Sequence, residues 1–187
     1  FSLDVYKQLR DLQIPGIPII HDLILENDSL ILIEDYIHGQ TLEQLLAEQT
    51  TLVYSDALAI MRKLCDILKS LHALTPPIIH RDLKLSNIIL TSENLVYIVD
   101  FDTARYYESG QEQDTELLGT KEYAPPEQYG FGQSDARSDI YALGIIFNRL
   151  LTGEYPKHQL ADDRYRSVIS KCIRWNPEER FQTVEEL

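Results

Sequence analysis

The chain has 187 residues, 44% hydrophobic and 25% charged, with a formal net charge of −13. That is the composition of a soluble globular protein of roughly one domain to one and a half, long enough to bury a substantial core. The acidic balance argues against nucleic acid or an anionic membrane as partner, because those surfaces select for Lys and Arg. No apolar run approaches the ~18 residues of a spanning helix, and no signal-peptide pattern opens the chain. Cys65 and Cys172 lie in predicted helices without metal-ligand spacing and read as buried free thiols of a reducing cytosol.

In chain order, residues 1–12 predict a helix with Val5, Leu9 and Leu12 on one stripe. Ile14-Pro15-Gly16-Ile17-Pro18 breaks it, since each proline disfavours helix at the residue before it. Residues 19–25 and 30–34 predict two strands joined by Glu26-Asn27-Asp28-Ser29. Thr41 has Gln44 three residues on, the capping-box spacing of a short helix. Residues 55–74 predict a long amphipathic helix with Leu58, Met61, Cys65, Leu68 and Leu71 inward, a core stripe rather than a cofactor box.

Thr75-Pro76-Pro77 ends that helix and delivers Ile78-Ile79 to a polar loop, His80-Arg81-Asp82-Leu83-Lys84-Leu85-Ser86-Asn87. Ile88-Ile89-Leu90, the turn Thr91-Ser92-Glu93-Asn94 and Leu95-Val96-Tyr97-Ile98-Val99 predict a β hairpin. A hairpin returns the chain to its starting edge, so Asp100-Phe101-Asp102 emerges beside the first loop. There Asp82 can accept a proton, Asn87 and Asp100 can hold Mg²⁺, and Lys84 can neutralise a transferring phosphoryl group. Taken singly, such residues are as often turn chemistry and solvated charge; the ordered set carries the signal. Residues 103–127 are polar. Residues 139–151 predict a central helix, apolar on almost all sides, residues 162–172 an amphipathic one, and residues 181–187 the start of a last helix.

His80-Arg81-Asp82-Leu83, then Asn87, a hairpin and Asp100-Phe101 match H-R-D-L-x-x-x-N followed by a strand and an acidic turn. On these residues the chain resembles a eukaryotic-type (Hanks-type) protein Ser/Thr kinase over essentially its whole length, beginning part-way into that fold. The resemblance implies an α+β, protein-kinase-like fold with a mostly helical C-lobe and a partial β N-lobe. Residues 1–34 would be the partial N-lobe (C helix and strands four and five), 35–40 the hinge and 41–187 the C-lobe. It implies ATP and Mg²⁺ as cofactors and phosphoryl transfer to a Ser/Thr hydroxyl of a protein substrate. Asp82 would orient that hydroxyl as base, and Lys84 would stabilise charge. Asn87 and Asp100 would ligate Mg²⁺, and Thr120 would bond to Asp82 and Lys84. Backbone groups of Asp35 and Ile37 would hold adenine above Ile89. Lys84 favours Ser/Thr over tyrosine kinases.

The resemblance further implies a buried Glu127–Arg180 ion pair, an Asp139 that accepts from the catalytic-loop backbone, and packing roles for His80 and Phe101. Residues 103–127 would be the activation segment, with Thr115 a candidate phosphosite for Arg81 and Arg105. Neither nucleic acid nor a membrane is an expected partner of this segment. A cytoplasmic location follows, alone or as the cytoplasmic domain of a larger protein.

The sequence also departs from the pattern. It contains no G-x-G-x-x-G, and the strand-three lysine that should precede the first helix is absent, so this stretch by itself is expected to bind ATP weakly and to be inactive. The C-helix Glu position falls on Val5 or, with one extra residue, on Asp4. Glu34 guards the back of the pocket, where an apolar residue is usual. Asp102 replaces the glycine of D-F-G; an Asp forced to φ > 0 predicts a stiff turn with Phe101 held inward. The helix that normally follows residue 156 is nearly missing. Two other readings stand beside the kinase: a pseudokinase binding module, favoured by the doubtful C-helix acid, and a small-molecule phosphotransferase of the aminoglycoside or choline kinase type, hinted at by Asp102. Lys84 and the Gly119-Thr120 and Tyr123-Ala124-Pro125-Pro126-Glu127 stretches argue against the latter.

Overall fold

The structure, a computed structural model, describes residues 3–27, 29–107, 120, 122–129 and 132–187. Thr115 and the acids between 108 and 116 lie outside these residues. Helix α1 (Leu3–Leu12) buries Val5, Tyr6 and Leu9. The Pro-rich break then turns on Gly16 at φ +85°, where an added Cβ would stand 2.3 Å from Cδ1 of Ile67. Only glycine fits that left-handed, close-packed position. Strands β1 (Ile20–Glu26) and β2 (Ser29–Glu34) pair antiparallel as expected, with Leu25 opposite Leu30.

Strand β3 (Gln40–Thr41) leads into α2 (Leu42–Gln49), and the capping box is present: Gln44 N–H donates to Thr41 Oγ1 (3.1 Å) while Thr41 N–H donates to Gln44 Oε1 (2.9 Å). The long helix, α3 (Tyr54–His72), buries Ala57, Ile60, Met61, Leu64, Ile67, Leu68 and Leu71. Leu58 and Cys65, expected inward, are only partly buried. The buried stripe is rotated because α3 packs on two elements at once, the central helix on one side and the hairpin with the Gly16 break on the other. Burial pushes the Cys65 thiol up to about 11 and that of Cys172 to about 12, so both stay protonated near neutral pH.

Strand β4 (Ile78–Ile79) precedes the catalytic-type loop, which closes in a 3₁₀ turn at Leu85–Asn87. Strands β5 (Ile88–Leu90) and β6 (Val96–Ile98) form the hairpin, in a sheet of order β3-β5-β6, and β7 (Arg105–Tyr106) returns to pair with β4. Helix α4 (Ala136–Thr152) begins ahead of the expected residue 139 because Asp135 caps it in a box with Ser138. Most of its residues are buried, between α3 and α5 (Asp163–Cys172).

Where α4 meets α5 the helices touch through Gly144, at which an added Cβ would lie 2.5 Å from Cβ of Cys172. Gly144→Ala should therefore force the pair apart at a cost of about 1–3 kcal/mol, read as a lower melting temperature; an unchanged value would mean the two helices slide freely. The fully buried Asn148 pins the short connection that follows α4. Its amide donates to the carbonyls of Glu154 and Gln159 (both 2.8 Å), and its oxygen accepts from Ala161 N–H (2.8 Å).

The helix expected at 181–187 is not formed; after a 3₁₀ turn at Pro177–Glu179 the described chain runs in bends and turns. Side chains there bond to the backbone of the same stretch. Gln182 N–H donates to Glu186 Oε2 (2.9 Å), and the Gln182 amide donates to the carbonyls of Pro177, Glu178 and Arg180. No described helix is long and apolar enough to cross a membrane.

Candidate catalytic site

The hairpin register, Ile88 opposite Ile98 and Leu90 opposite Val96, brings the residues just outside it together, and Val99 N–H donates to the Asn87 carbonyl (3.0 Å). Asn87 and Asp100 thus end adjacent strands on the same edge. The preceding loop is held from below by Asp139 on α4. Its carboxylate accepts from the backbone N–H groups of His80 and Arg81 (3.0 Å each) and lies 2.8 Å from Nε2 of His72. Arg81 adopts φ +70°, and its carbonyl receives the Gln128 amide at 2.6 Å. His80 packs on Phe101 with ring centroids 4.7 Å apart, and both are buried, as expected.

Above this floor the predicted residues converge. Asp82 Oδ1 accepts from both the backbone N–H (2.9 Å) and the hydroxyl (2.8 Å) of Thr120. Asp82 Oδ2 accepts from Lys84 Nζ at 2.6 Å, and the same ammonium reaches Thr120 Oγ1 at 3.2 Å. Asn87 Nδ2 donates to the Asp82 carbonyl (3.1 Å) and lies 3.4 Å from both Asp82 Oδ2 and Asp100 Oδ2. Asp82, Lys84, Asn87, Asp100 and Thr120 therefore form one cluster. It is a carboxylate with an attendant cation, beside an amide and a second carboxylate.

Asp100 takes the left-handed backbone, φ +66°, which Asp tolerates better than most side chains. Among the described residues its oxygens receive long contacts, from Asn87 Nδ2 and from Asp102 N–H, both 3.4 Å. Among the same residues the Asn87 Oδ1 meets the Ser86 hydroxyl at 3.5 Å. These weakly used oxygens suit a hard cation such as Mg²⁺. Among the described residues no group of three or more His, Cys, Asp and Glu could hold a metal alone.

In the 35–40 segment, Asp35 N–H donates to the Ile19 carbonyl (2.9 Å) and its side chain meets His21 (2.7 Å). Ile37 is partly buried. Ile89 pairs with Thr41 across β3 and β5, and its Cγ2 would lie 2.7 Å from a Cβ added at Gly39. Ile89 therefore lies against Gly39, at the end of the 35–40 segment.

Two sequence expectations change. Asp102 does not adopt positive φ; Asp100 does, so the stiffness expected of an Asp forced into that region has no basis at 102. Asp102 instead accepts a 2.7 Å hydrogen bond from the Tyr6 hydroxyl, a contact nothing in the sequence signalled. On α1, Val5 is fully buried whereas Asp4 faces outward with Lys7 (3.2 Å), so the core-facing position is apolar. Burial, then Asp102, Asp100 and Glu34, pushes the Tyr6 phenol well above its usual range, so it remains a donor. Partial burial, then Asp100, Asp102 and Asp35, raises Glu34.

Two groups under the loop make stability depend on pH. Burial lowers the His80 imidazole, only partly offset by Asp139 and Asp82. Burial alone would raise Asp139, but His72, His80 and the Arg81 N–H outweigh it and hold the carboxyl below its usual range. Both groups bind a proton more readily when unfolded, so stability rises with pH. It should be full above about pH 6.5 and fall as pH drops through the unfolded His and then the Asp values. Urea midpoints that stay level from neutral pH to about pH 5 would contradict this.

A family model described as a protein kinase domain matches residues 5–187. The serine/threonine-protein kinase PknB of Mycobacterium tuberculosis is 30% identical over 182 residues, covering 83% of this chain and 29% of that protein. PrkC of Bacillus subtilis, also a serine/threonine-protein kinase, is 32% identical over 169 residues, covering 87% of this chain and 26% of that protein. The chain thus spans less than a third of the length of these curated relatives.

Proposed function

The chain belongs to the protein kinase domain family, and on that premise we propose that it carries the catalytic part of an ATP-dependent protein serine/threonine kinase. The observation that carries this reading is the Asp82 carboxylate, gripped on one oxygen by Thr120 and on the other by Lys84, with Asn87 bridging towards Asp100. Asp82 orients the acceptor hydroxyl and takes its proton, while Lys84 balances charge on the transferring group. Asn87 and Asp100 hold Mg²⁺, which when bound neutralises the β- and γ-phosphates. The backbone of Asp35 and Ile37, with Ile89 beneath, receives adenine. The acceptor is a Ser or Thr of a protein, and the use of ATP fits a cytoplasmic location.

One observation favours a second reading. The core-facing position of α1 is Val5 rather than an acid, which suits a binding module that keeps the fold without turnover. Labelled ATP offered to the full-length protein with a panel of protein and small-molecule acceptors separates the possibilities. We expect label on Ser or Thr of protein acceptors. Label on small molecules alone would identify a small-molecule phosphotransferase, and nucleotide binding without transfer would identify the binding module.

A further inference from the structure

Helix α1 is tied to the chain around the proposed metal ligand at two points. The buried Tyr6 donates to Asp102 Oδ1 at 2.7 Å, and the Tyr106 hydroxyl donates to the Asp4 carbonyl at 2.9 Å. Both partners on the far side, Asp102 and Tyr106, follow Asp100 within one short segment. Asp102 in turn sends its backbone N–H towards Asp100 Oδ1 (3.4 Å), next to the left-handed φ of +66° at Asp100. The charged side chains of α1 pair with one another along the exposed face of the helix, Asp4 with Lys7 and Arg10 with Asp11.

We infer that Tyr6 is a positioning residue for the 100–102 turn, holding it through Asp102 so that the placement of α1 and the placement of the Asp100 carboxylate are set together. The physical case is the bond itself. It is a short hydroxyl-to-carboxylate contact, the stronger class of hydrogen bond, and its donor is 2% exposed on a ring packed into the core. Tyr6 cannot swing to water without leaving that core, so the phenol is a fixed point and the turn is what it fixes. A glycine at position 102 would offer no acceptor. With Val5 buried one residue away, the charge-directed link from α1 towards the catalytic cluster is made by Tyr6. The metal-related part of this role rests on the kinase reading above, whereas the mechanical coupling does not.

Tyr6→Phe, Asp102→Gly and the double variant, each in the full-length protein, test this by two readouts. The first is hydrogen–deuterium exchange in segments 3–12 and 96–107. Tyr6→Phe keeps the buried ring, so the fold is retained, yet exchange should rise about threefold to tenfold in 96–107 as well as in 3–12. The double variant should exceed neither single variant in 96–107, because both remove the same bond. The second readout is the Mg²⁺ concentration giving half-maximal ATP binding, which should rise about threefold to tenfold in Tyr6→Phe and not further in the double. A rise in exchange confined to 3–12, additive effects in the double variant, or an unchanged Mg²⁺ dependence would overturn the positioning role. If the unaltered protein binds no Mg²⁺-ATP, the kinase reading fails, and the exchange comparison alone decides whether Tyr6 holds the turn.

Discussion

Asp82→Asn should lower phosphoryl transfer by the full-length protein by roughly 10²- to 10⁴-fold, the range for loss of a positioned general base. The amide can still turn its oxygen towards Thr120, which donates to Asp82 Oδ1 by two groups in the native site. Its NH₂ then faces the Lys84 ammonium, which sits 2.6 Å from Oδ2, and two donors cannot bond. The variant therefore loses both the proton acceptor and the partner that holds Lys84, while Asp100 is untouched and Asn87 gives up its long 3.4 Å contact to Oδ2 but keeps its 3.1 Å bond to the backbone carbonyl of residue 82. Turnover should collapse with ATP affinity changed little, as read by initial rates beside a direct nucleotide titration. Transfer at the native rate would remove Asp82 from the chemistry.

The second large effect concerns stability. Arg180 is fully buried and forms a fork on Glu127, Nη1 to Oε1 at 2.7 Å and Nη2 to Oε2 at 2.9 Å. It also donates to the carbonyls of Arg137, Arg174 and Trp175 and lies over the Tyr141 ring. Arg180→Ala leaves the Glu127 carboxylate inside the protein, still accepting from the Ser138 hydroxyl (2.8 Å) but without its counter-charge. Stranding one member of a buried pair costs about 3–5 kcal/mol, so the melting temperature should drop steeply. Replacing both residues with apolar ones, Arg180→Met with Glu127→Leu, should recover much of that loss, since the stranded charge is what is expensive. A single variant that melts like the native protein would show that the pair contributes nothing.

The convergence of Asp82, Lys84, Asn87 and Asp100 was legible in the sequence because it lies in the order of residue types along two loops, and a hairpin of β-branched residues has one way to bring those loops together. The Glu127–Arg180 pair and the anchoring by Asp139 followed from the family resemblance in the same way. What escaped reading depends on partners distant in the chain. Tyr6 and Asp102 are 96 positions apart, and neither local pattern nor propensity links them. The inward face of α3 was misplaced at Leu58 and Cys65 because periodicity locates a stripe, whereas the second neighbour that widens it comes from the hairpin. The last residues look helical by composition, yet residues 181–187 run in bends and turns. The positive φ fell on Asp100 rather than Asp102, a choice made by the loop's closure.

The double grip of Thr120 on Asp82 has a geometric outcome. With Oδ1 already receiving two close hydrogens, an incoming alcohol is left with Oδ2, which Lys84 takes at 2.6 Å and Asn87 Nδ2 approaches only at 3.4 Å. Approach is thereby confined to one side of the carboxylate. A side chain whose hydroxyl arrives there meets base and cation together, and one arriving from the opposite flank finds the lone pairs taken.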